Sequence, residues 1–295
     1  MGDVGSVNTS TSHAIPPFID KVIPFPETGT SYVLERPLAT YKQCQDGTPA
    51  EARMVFTCRR KPLTHESNAS SENETDADEF VIKIKVQIPD HGHAAEAGPS
   101  TTTAAELKAL RIFRDAKCPF APTLADYKQT TQGPNGPFPG GYITYTVMTK
   151  MPGESLHDSH FWGQAFSDEE RKEVQQKFLV ALRAIYDLGI EPVDCALRNV
   201  LWEHETKRCT IIDFELWREP SGPIADETRE LQRWGIARQP AAKTWFEAWN
   251  TSAIVLGSIQ LFMDRKLGVI KASKPGLLWA GLLWAGLLWG GSTAR

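Results

Sequence analysis

Alternating apolar and polar positions predict several strands in the first half of the chain. Residues 31–42 and 53–59 are candidate strands, and the second has the clearer pattern. Residues 80–86 form a stronger one, in which Lys83 and Lys85 share one face and the isoleucines share the other, because successive side chains of a strand point to opposite faces. An edge strand whose lysines prevent aggregation is the alternative interpretation of this segment.

A single amphipathic helix interrupts these strands at residues 100–116. Its start is rich in Ser and Thr, as is typical of an N-cap, and apolar residues follow helical spacing from Leu107 to Phe113. Residues 124–129 and 142–149 are the next candidate strands. The order strand, helix, strand, strand predicts a small antiparallel β lobe with one helix.

The longest predicted helix, at residues 167–188, is marked at both ends by its sequence. Ser167 and Glu170 form a capping box, and apolar residues recur along one face from Val174 onwards. Gly189 follows directly and suits a C-cap. We expect this to be the central helix of a second, mainly helical lobe.

Two short apolar runs, residues 199–203 and 209–213, flank a polar link and predict a β-hairpin. Arms of equal length place Asn199 beside Asp213 at the open end of the hairpin. Asp194 lies in the loop that feeds the first strand and approaches from the same side. Because amide and carboxylate oxygens suit a hard divalent cation, we expect a Mg²⁺ site there.

Composition and charge are those of a soluble globular protein and disfavour several functional classes. The 295 residues, of which 41% are hydrophobic and 23% charged, suffice for two small lobes with a sizeable core. The net charge of −4 gives no reason to expect a nucleic acid or an anionic membrane as partner. Five cysteines without C-x-x-C spacing argue against disulfides and a zinc site, and favour the cytoplasm.

Segments of biased composition set the predicted domain boundaries. We expect residues 1–30 to be a flexible arm and residues 62–79 to be a disordered acidic insert in a small lobe of residues 31–150. Residues 151–255 form the predicted large lobe. Residues 256–295 contain an apolar GLLWA repeat of about 16 residues, short of the ~20 that span a bilayer. We favour a low-complexity tail over a buried helix or a membrane-surface anchor.

The spacing around the predicted hairpin resembles the catalytic loop and metal-binding segment of the protein-kinase-like superfamily. Asp194, four further residues and Asn199 match its D-x-x-x-x-N, and Asp213 with the phenylalanine after it matches the start of its D-F-G. The details look nearest to the aminoglycoside-phosphotransferase-like and fungal kinase-like branches. Pro192 and Glu215 depart from the pattern, since they replace the usual His and Gly.

The resemblance implies roles for residues of the small lobe. It implies that Lys83 contacts the nucleotide phosphates, with Lys85 as the alternative, and that Glu106 pairs with this lysine. A solvated Glu106 on an exposed helix face is the other interpretation. A hinge between the lobes would contact adenine through its backbone. The hinge candidates are Thr149, Lys150 and Met151.

The resemblance implies an α+β, two-lobed protein-kinase-like fold and a phosphotransferase that uses ATP and Mg²⁺. Asp194 would orient the acceptor hydroxyl and accept its proton, while Asn199 and Asp213 would hold the metal ion. The acceptor, a small molecule or a protein, is not specified. The glycine-rich phosphate loop of the family has no match here. A catalytically inactive kinase-like binding or scaffold protein is therefore the alternative, and an unrelated α+β protein is the third.

Overall fold

The computed structural model describes residues 21–44, 50–62, 79–89 and 94–238. They form a mixed α/β structure whose largest element is a six-stranded sheet, with every neighbouring pair antiparallel. The strands are β1 (Val22–Phe25), β2 (Thr30–Cys44), β3 (Glu51–Pro62), β4 (Glu79–Gln87), β5 (Leu124–Thr131) and β6 (Tyr142–Thr149). Their order in the sheet is β1-β2-β3-β4-β6-β5.

Strand β4 lies inside the sheet, so the interpretation of an edge strand is wrong. It pairs with β3 on one side and with β6 on the other. Ile82 and Ile84 are buried in an apolar cluster with Tyr32 and Leu34. Because side chains alternate along a strand, the lysines of β4 point to the opposite face.

The helix α1 (Thr101–Asp115) packs on the sheet through an apolar stripe. The Ser100 hydroxyl accepts a hydrogen bond from the backbone N–H of Thr103 and caps the first turn. Leu107 and Leu110 pack against apolar side chains of β5 and β6. The helix predicted at this position is therefore confirmed, and its buried face lies against β5 and β6.

The helix α2 (Asp168–Asp187) has the ends that the sequence predicts. The Ser167 hydroxyl accepts a hydrogen bond of 3.1 Å from the backbone N–H of Glu170. Gly189 adopts a φ of +79°, which glycine reaches without steric cost, so the chain turns away from the helix there. Five apolar residues of the helix are fully buried in the core: Val174, Phe178, Ala181, Leu182 and Ile185.

The predicted β-hairpin is confirmed, with Asn199 beside Ile212 rather than beside Asp213, and one short strand is added to it. The remaining elements are β7 (Glu154–Ser155), β8 (Glu191–Pro192), β9 (Val200–Glu203), β10 (Arg208–Ile211), β11 (Trp217–Arg218) and α3 (Glu227–Arg233). Strands β9 and β10 form the hairpin, β7 adds to β9, and β8 pairs with β11. Gly153 allows β7 to approach, because a Cβ there would lie 2.6 Å from the Trp202 carbonyl oxygen.

Two domain expectations differ from the structure. The expected flexible arm of residues 1–30 is wrong at its end, because Val22–Phe25 form β1 and pair with β2. The expected large lobe of residues 151–255 is mixed rather than mainly helical in its described part, where two helices accompany five short strands.

Several sequence expectations lie outside the described residues. These are residues 1–20 of the expected arm, the interior of the acidic insert at residues 63–78, and everything after Arg238, including the apolar repeat. Among the helices that the structure describes, none has the length and apolar composition needed to cross a membrane.

Candidate functional site

Lys83 on β4 lies at the centre of a compact group of charged side chains. Its Nζ lies 2.6 Å from Glu106 Oε1, 2.9 Å from Glu215 Oε1 and 3.2 Å from Asp213 Oδ1. Burial lowers the pKa of Lys83, but the attraction of the three carboxylates outweighs this effect and raises the pKa well above its ordinary value. Lys83 is therefore positively charged in spite of its burial.

Glu106 faces the inside of the molecule, so the interpretation of a solvated glutamate is wrong. The residue is 2% exposed, and its Oε2 atom has no hydrogen-bond partner in the described part of the chain. Burial raises the pKa of Glu106, and the attraction of Lys83 offsets only part of that rise, so the pKa stays above its ordinary value. A buried carboxylate oxygen without a partner is costly, and it is a ready ligand for a cation.

Glu215 is one of the site residues that sequence reasoning missed, because the sequence shows it only as a departure from the kinase-like pattern. Its Oε2 accepts a hydrogen bond of 2.6 Å from Arg53 Nη1, and its Oε1 lies 3.2 Å from Lys85 Nζ as well as near Lys83. Burial raises the pKa of Glu215, but the attraction of the three cations outweighs it and lowers the pKa to about 2. One carboxylate therefore neutralises cations from both β3 and β4.

A fourth carboxylate extends this group deeper into the sheet. Glu51 Oε2 lies 3.3 Å from Arg53 Nη2 and 3.7 Å from Lys85 Nζ, and Tyr142 donates a hydrogen bond of 2.8 Å to Glu51 Oε1. Arg53 stands directly opposite Lys85 in the register of β3 and β4, where two like charges repel each other. The carboxylates offset this repulsion.

We refer to these residues together as the ion-pair cluster. Its three cations are Arg53, Lys83 and Lys85, and its four carboxylates are Glu51, Glu106, Asp213 and Glu215. A signal for the missed members exists in the sequence. Charged residues alternate with apolar ones at the start of β3, as they do on β4, which is the pattern of a strand with one charged face.

Asp213 is the most exposed member of the ion-pair cluster. Its side chain is 38% exposed, whereas that of Lys83 is 12% exposed and that of Lys85 is 2% exposed. Its backbone has a φ of +66°, a left-handed conformation that costs about 1–2 kcal/mol for a residue with a Cβ and is more common for Asp and Asn than for other such residues. Phe214 is buried against Phe113, with ring centroids 4.6 Å apart, and fixes the segment.

Asp194 and Asn199 form a second polar group at the open end of the hairpin. The Asn199 amide donates hydrogen bonds to the backbone oxygen of Asp194 at 2.9 Å and to its carboxylate at 3.2 Å. The same carboxylate is 2.7 Å from Arg198 Nη2. The backbone N–H of Ile212 donates to the Asn199 carbonyl oxygen at 2.9 Å, so Asn199 lies beside the residue that precedes Asp213.

The three hinge candidates lie at and after the end of β6. The backbone N–H groups of Thr149 and Lys150 donate to the carbonyl oxygens of Thr123 and Glu79, at 3.0 and 3.3 Å. The Lys150 side chain forms an ion pair with Glu79, and the Thr149 hydroxyl contacts the sulfur of Met151 at 3.9 Å. Two of the backbone donors that adenine recognition would use are therefore already engaged in the sheet.

A partly buried arginine holds the loop that leads to Asp194. Arg233 of α3 donates to the carbonyl oxygen of Pro192 at 2.6 Å and to Cys195 Sγ at 3.0 Å, and its Nη1 lies 3.1 Å from Glu191 Oε1. Arg218 of β11 contacts the other side of the same glutamate. The loop around Asp194 is thus fixed by charged contacts, although Pro192 stands where the kinase-like pattern has histidine.

Comparisons with solved structures find a similarity to a viral kinase. No family model matches this chain, and no curated protein matches it. The structure is similar to the Cydia pomonella granulovirus kinase PK-1, with 19% sequence identity and a TM-score of 0.39. The similarity covers 66% of this chain and 58% of the viral kinase, so the chain matches less than two thirds of that protein.

Proposed function

We propose that the chain is a kinase-like phosphotransferase with a two-lobed fold, which binds ATP with Mg²⁺ and transfers the γ-phosphoryl group to a hydroxyl acceptor. The observation that carries this proposal is the position of Lys83 between Glu106 of α1 and Asp213 after the hairpin. In kinases the strand lysine pairs with a helix glutamate and lies near the metal-binding aspartate. Residues of three separated segments meet here in that arrangement.

The residues present fit a divalent cation at the exposed edge of the ion-pair cluster. Glu106, Asp213 and Glu215 each offer an oxygen within 4.8 Å of the others. Lys83 Nζ already lies among these oxygens, so an ion would bind to Asp213, the most exposed of the three carboxylates. Mg²⁺ prefers such hard oxygen ligands. Asp213 and Asn199 are our proposed metal residues, and the ion would neutralise charge on the transferred phosphoryl group.

Lys83 is better suited than Lys85 to bind the phosphates. Lys83 lies beside the partly exposed Asp213, whereas Lys85 is buried between Glu51 and the Thr102 hydroxyl, which lies 3.2 Å from Lys85 Nζ. A nucleotide enters the site from solvent, so it reaches the more exposed of the two lysines. Asp194 remains the proposed base, since its carboxylate accepts a hydrogen bond from the proposed metal residue Asn199.

A second candidate function, a non-catalytic kinase-like binding or scaffold protein, is favoured by one observation. The Glu215 carboxylate already contacts Lys83, and Arg198 contacts both carboxylate oxygens of Asp194. Both proposed functional groups are therefore engaged by charged partners within the chain. This candidate predicts a folded protein that does not turn over ATP.

Thermal unfolding with Mg-ATP tests the proposal. Ligand at about 100 times its dissociation constant adds roughly 2.7 kcal/mol of stability, so the wild-type melting temperature should rise by several degrees. The shift should require Mg²⁺ and disappear in Asp213→Asn, which keeps a residue that tolerates the left-handed backbone. Asp187→Asn, at an exposed position on α2, is the matched control and should keep the shift.

Release of ADP then separates the two candidate functions. Magnesium-dependent ADP release by the wild type that is lost in Asp194→Asn supports the transferase. A nucleotide-induced shift without ADP release, at millimolar Mg-ATP over hours, favours the non-catalytic protein. The absence of any shift in the wild type, with Asp187→Asn folded normally, contradicts a nucleotide site in the free wild-type protein.

A further inference from the structure

Three cations from two neighbouring strands converge on one carboxylate in the ion-pair cluster. Glu215 Oε1 lies 2.9 Å from Lys83 Nζ and 3.2 Å from Lys85 Nζ, and Oε2 lies 2.6 Å from Arg53 Nη1. These are the distances at which charged nitrogen donors bind carboxylate or phosphate oxygens. The residue is 8% exposed, so the carboxylate fills the position that an external anion would take on these cations.

We propose that Glu215 is a built-in occupant of the phosphate subsite, which a nucleotide must displace before Lys83 can bind its phosphates. This inference rests on the proposed nucleotide site and adds its regulation. Phosphate and carboxylate oxygens compete for the same donors, because both are anionic acceptors. The affinity of the wild-type protein for ATP is therefore lowered by the contacts that Glu215 makes within the chain.

The charge balance of the cluster indicates that its cations do not require the negative charge of Glu215. The cluster holds three cations against four carboxylates, so one negative charge exceeds what the cations require. Without the charge of Glu215 the cluster contains three of each sign. Glu215→Gln therefore leaves a balanced cluster with a side chain of the same size, and we expect this variant to fold.

The surroundings of Glu215 favour rotation of its side chain over movement of the segment. On one side Phe214 packs against Phe113 in the core. On the other side the Trp217 indole donates a hydrogen bond of 2.9 Å to the Ala105 carbonyl oxygen of α1. Leu216 between them is 40% exposed. The backbone is thus held at both ends, so the carboxylate leaves the cations by rotation of the side chain.

Calorimetric titration with ATP, with and without Mg²⁺, tests this inference on the full-length protein. Glu215→Gln should bind ATP at least tenfold more tightly than the wild type. Glu51→Gln is the matched control, because it removes the same charge from the same cluster but does not contact Lys83 in the structure. We expect a gain below threefold for it. Adenosine, which lacks phosphates, should bind the wild type and Glu215→Gln equally.

Each outcome of the titration decides the inference. If the wild type binds ATP and Glu215→Gln binds it equally or more weakly, the inference is wrong but the nucleotide site remains. If Glu215→Gln binds more weakly only in the presence of Mg²⁺, Glu215 is a metal ligand instead. An equal gain in ATP affinity in Glu51→Gln also overturns the inference, because loss of any one negative charge from the cluster would then explain the gain. Binding by neither the wild type nor Glu215→Gln overturns both proposals.

A second variant covers the case in which Glu215→Gln does not fold, as judged by circular dichroism. Glu215→Asp keeps the charge but withdraws the carboxylate by one methylene. It should weaken the contact with the three cations and raise the ATP affinity several-fold. An affinity equal to that of the wild type would overturn the inference.

Discussion

Glu215 illustrates how one side chain determines the chemistry of a site. Arg53 and Lys85 face each other across two strands, a pairing that destabilises a sheet unless an anion lies nearby. Glu215 and Glu51 each contact both cations. Glu215 therefore adds a second carboxylate to Glu51 at the point where the two cations repel each other.

Glu191 gives a prediction about acid stability. Burial raises the pKa of Glu191, but its hydrogen bonds and ion pairs with Arg218 and Arg233 outweigh this and lower the pKa. A lowered pKa stabilises the fold above the unfolded-state pKa of the glutamate, and this contribution is lost as the pH falls through the folded-state pKa. The unfolding free energy of the wild type should therefore fall more steeply than that of Glu191→Gln between about pH 5 and pH 3.

Urea denaturation at several pH values measures this difference. At pH 7 Glu191→Gln should be the less stable protein, because it leaves two arginines without their carboxylate, and the gap should narrow on acidification. Glu219→Gln, at an exposed position nearby, is the control and should follow the wild type. Parallel curves for the wild type and Glu191→Gln would contradict the assignment.

At the scale of elements, segments with a strong local pattern were predictable. β4, α1, α2 and the β9–β10 hairpin follow from alternation, helical spacing and capping residues. β1 was not predictable from its own four residues, VIPF, since a strand with proline in a Pro-rich region has a weak local signal. It exists because β2 offers a partner, and pairing of this kind is not encoded in the segment itself.

The candidate site was predictable only in part, for a related reason. Lys83, Glu106 and Asp213 were named because they fit a known spacing, and the structure brings them together. The contacts of Glu215 reach Lys83 and Arg53 across 132 and 162 residues. No local periodicity relates positions that far apart, so only the folded chain reveals them.

The cap of α2 provides a prediction at the scale of an element. The Ser167 hydroxyl accepts the N–H of Glu170, one of the donors that a helix start leaves without a partner. Ser167→Ala should lower the unfolding free energy by about 1 kcal/mol, as measured by urea denaturation. The affinity for Mg-ATP should stay within twofold, because neither Ser167 nor Glu170 contacts the ion-pair cluster in the described part of the chain.

A matched variant distinguishes the cap from a change in packing. Ser167→Asp keeps a side-chain acceptor at the same position and should retain most of the stability, since Asp is as good an N-cap as Ser. Equal losses in Ser167→Ala and Ser167→Asp would show that the hydrogen bond does not account for the effect.

At the scale of the molecule, the site depends on segments that meet only in the fold. The ion-pair cluster draws on β3, β4, α1 and the segment after β10. The central strand β4 has hydrogen-bonded neighbours on both sides, whereas β1 and β5 lie at the edges of the sheet. We therefore expect β4 to open least often, because edge strands expose backbone groups that inner strands protect.

Hydrogen exchange of backbone amides tests whether these segments respond as one site. In the wild type, saturating Mg-ATP should slow exchange together in peptides that contain Lys83, Glu106 and Asp213, because one ligand contacts groups held by all three segments. In Asp213→Asn the three changes should vanish together. Exchange in peptides from α2 should be unaffected by Mg-ATP in both proteins. Slower exchange confined to one of the three segments would mean that the nucleotide binds elsewhere, and that the ion-pair cluster stabilises the fold without binding phosphate.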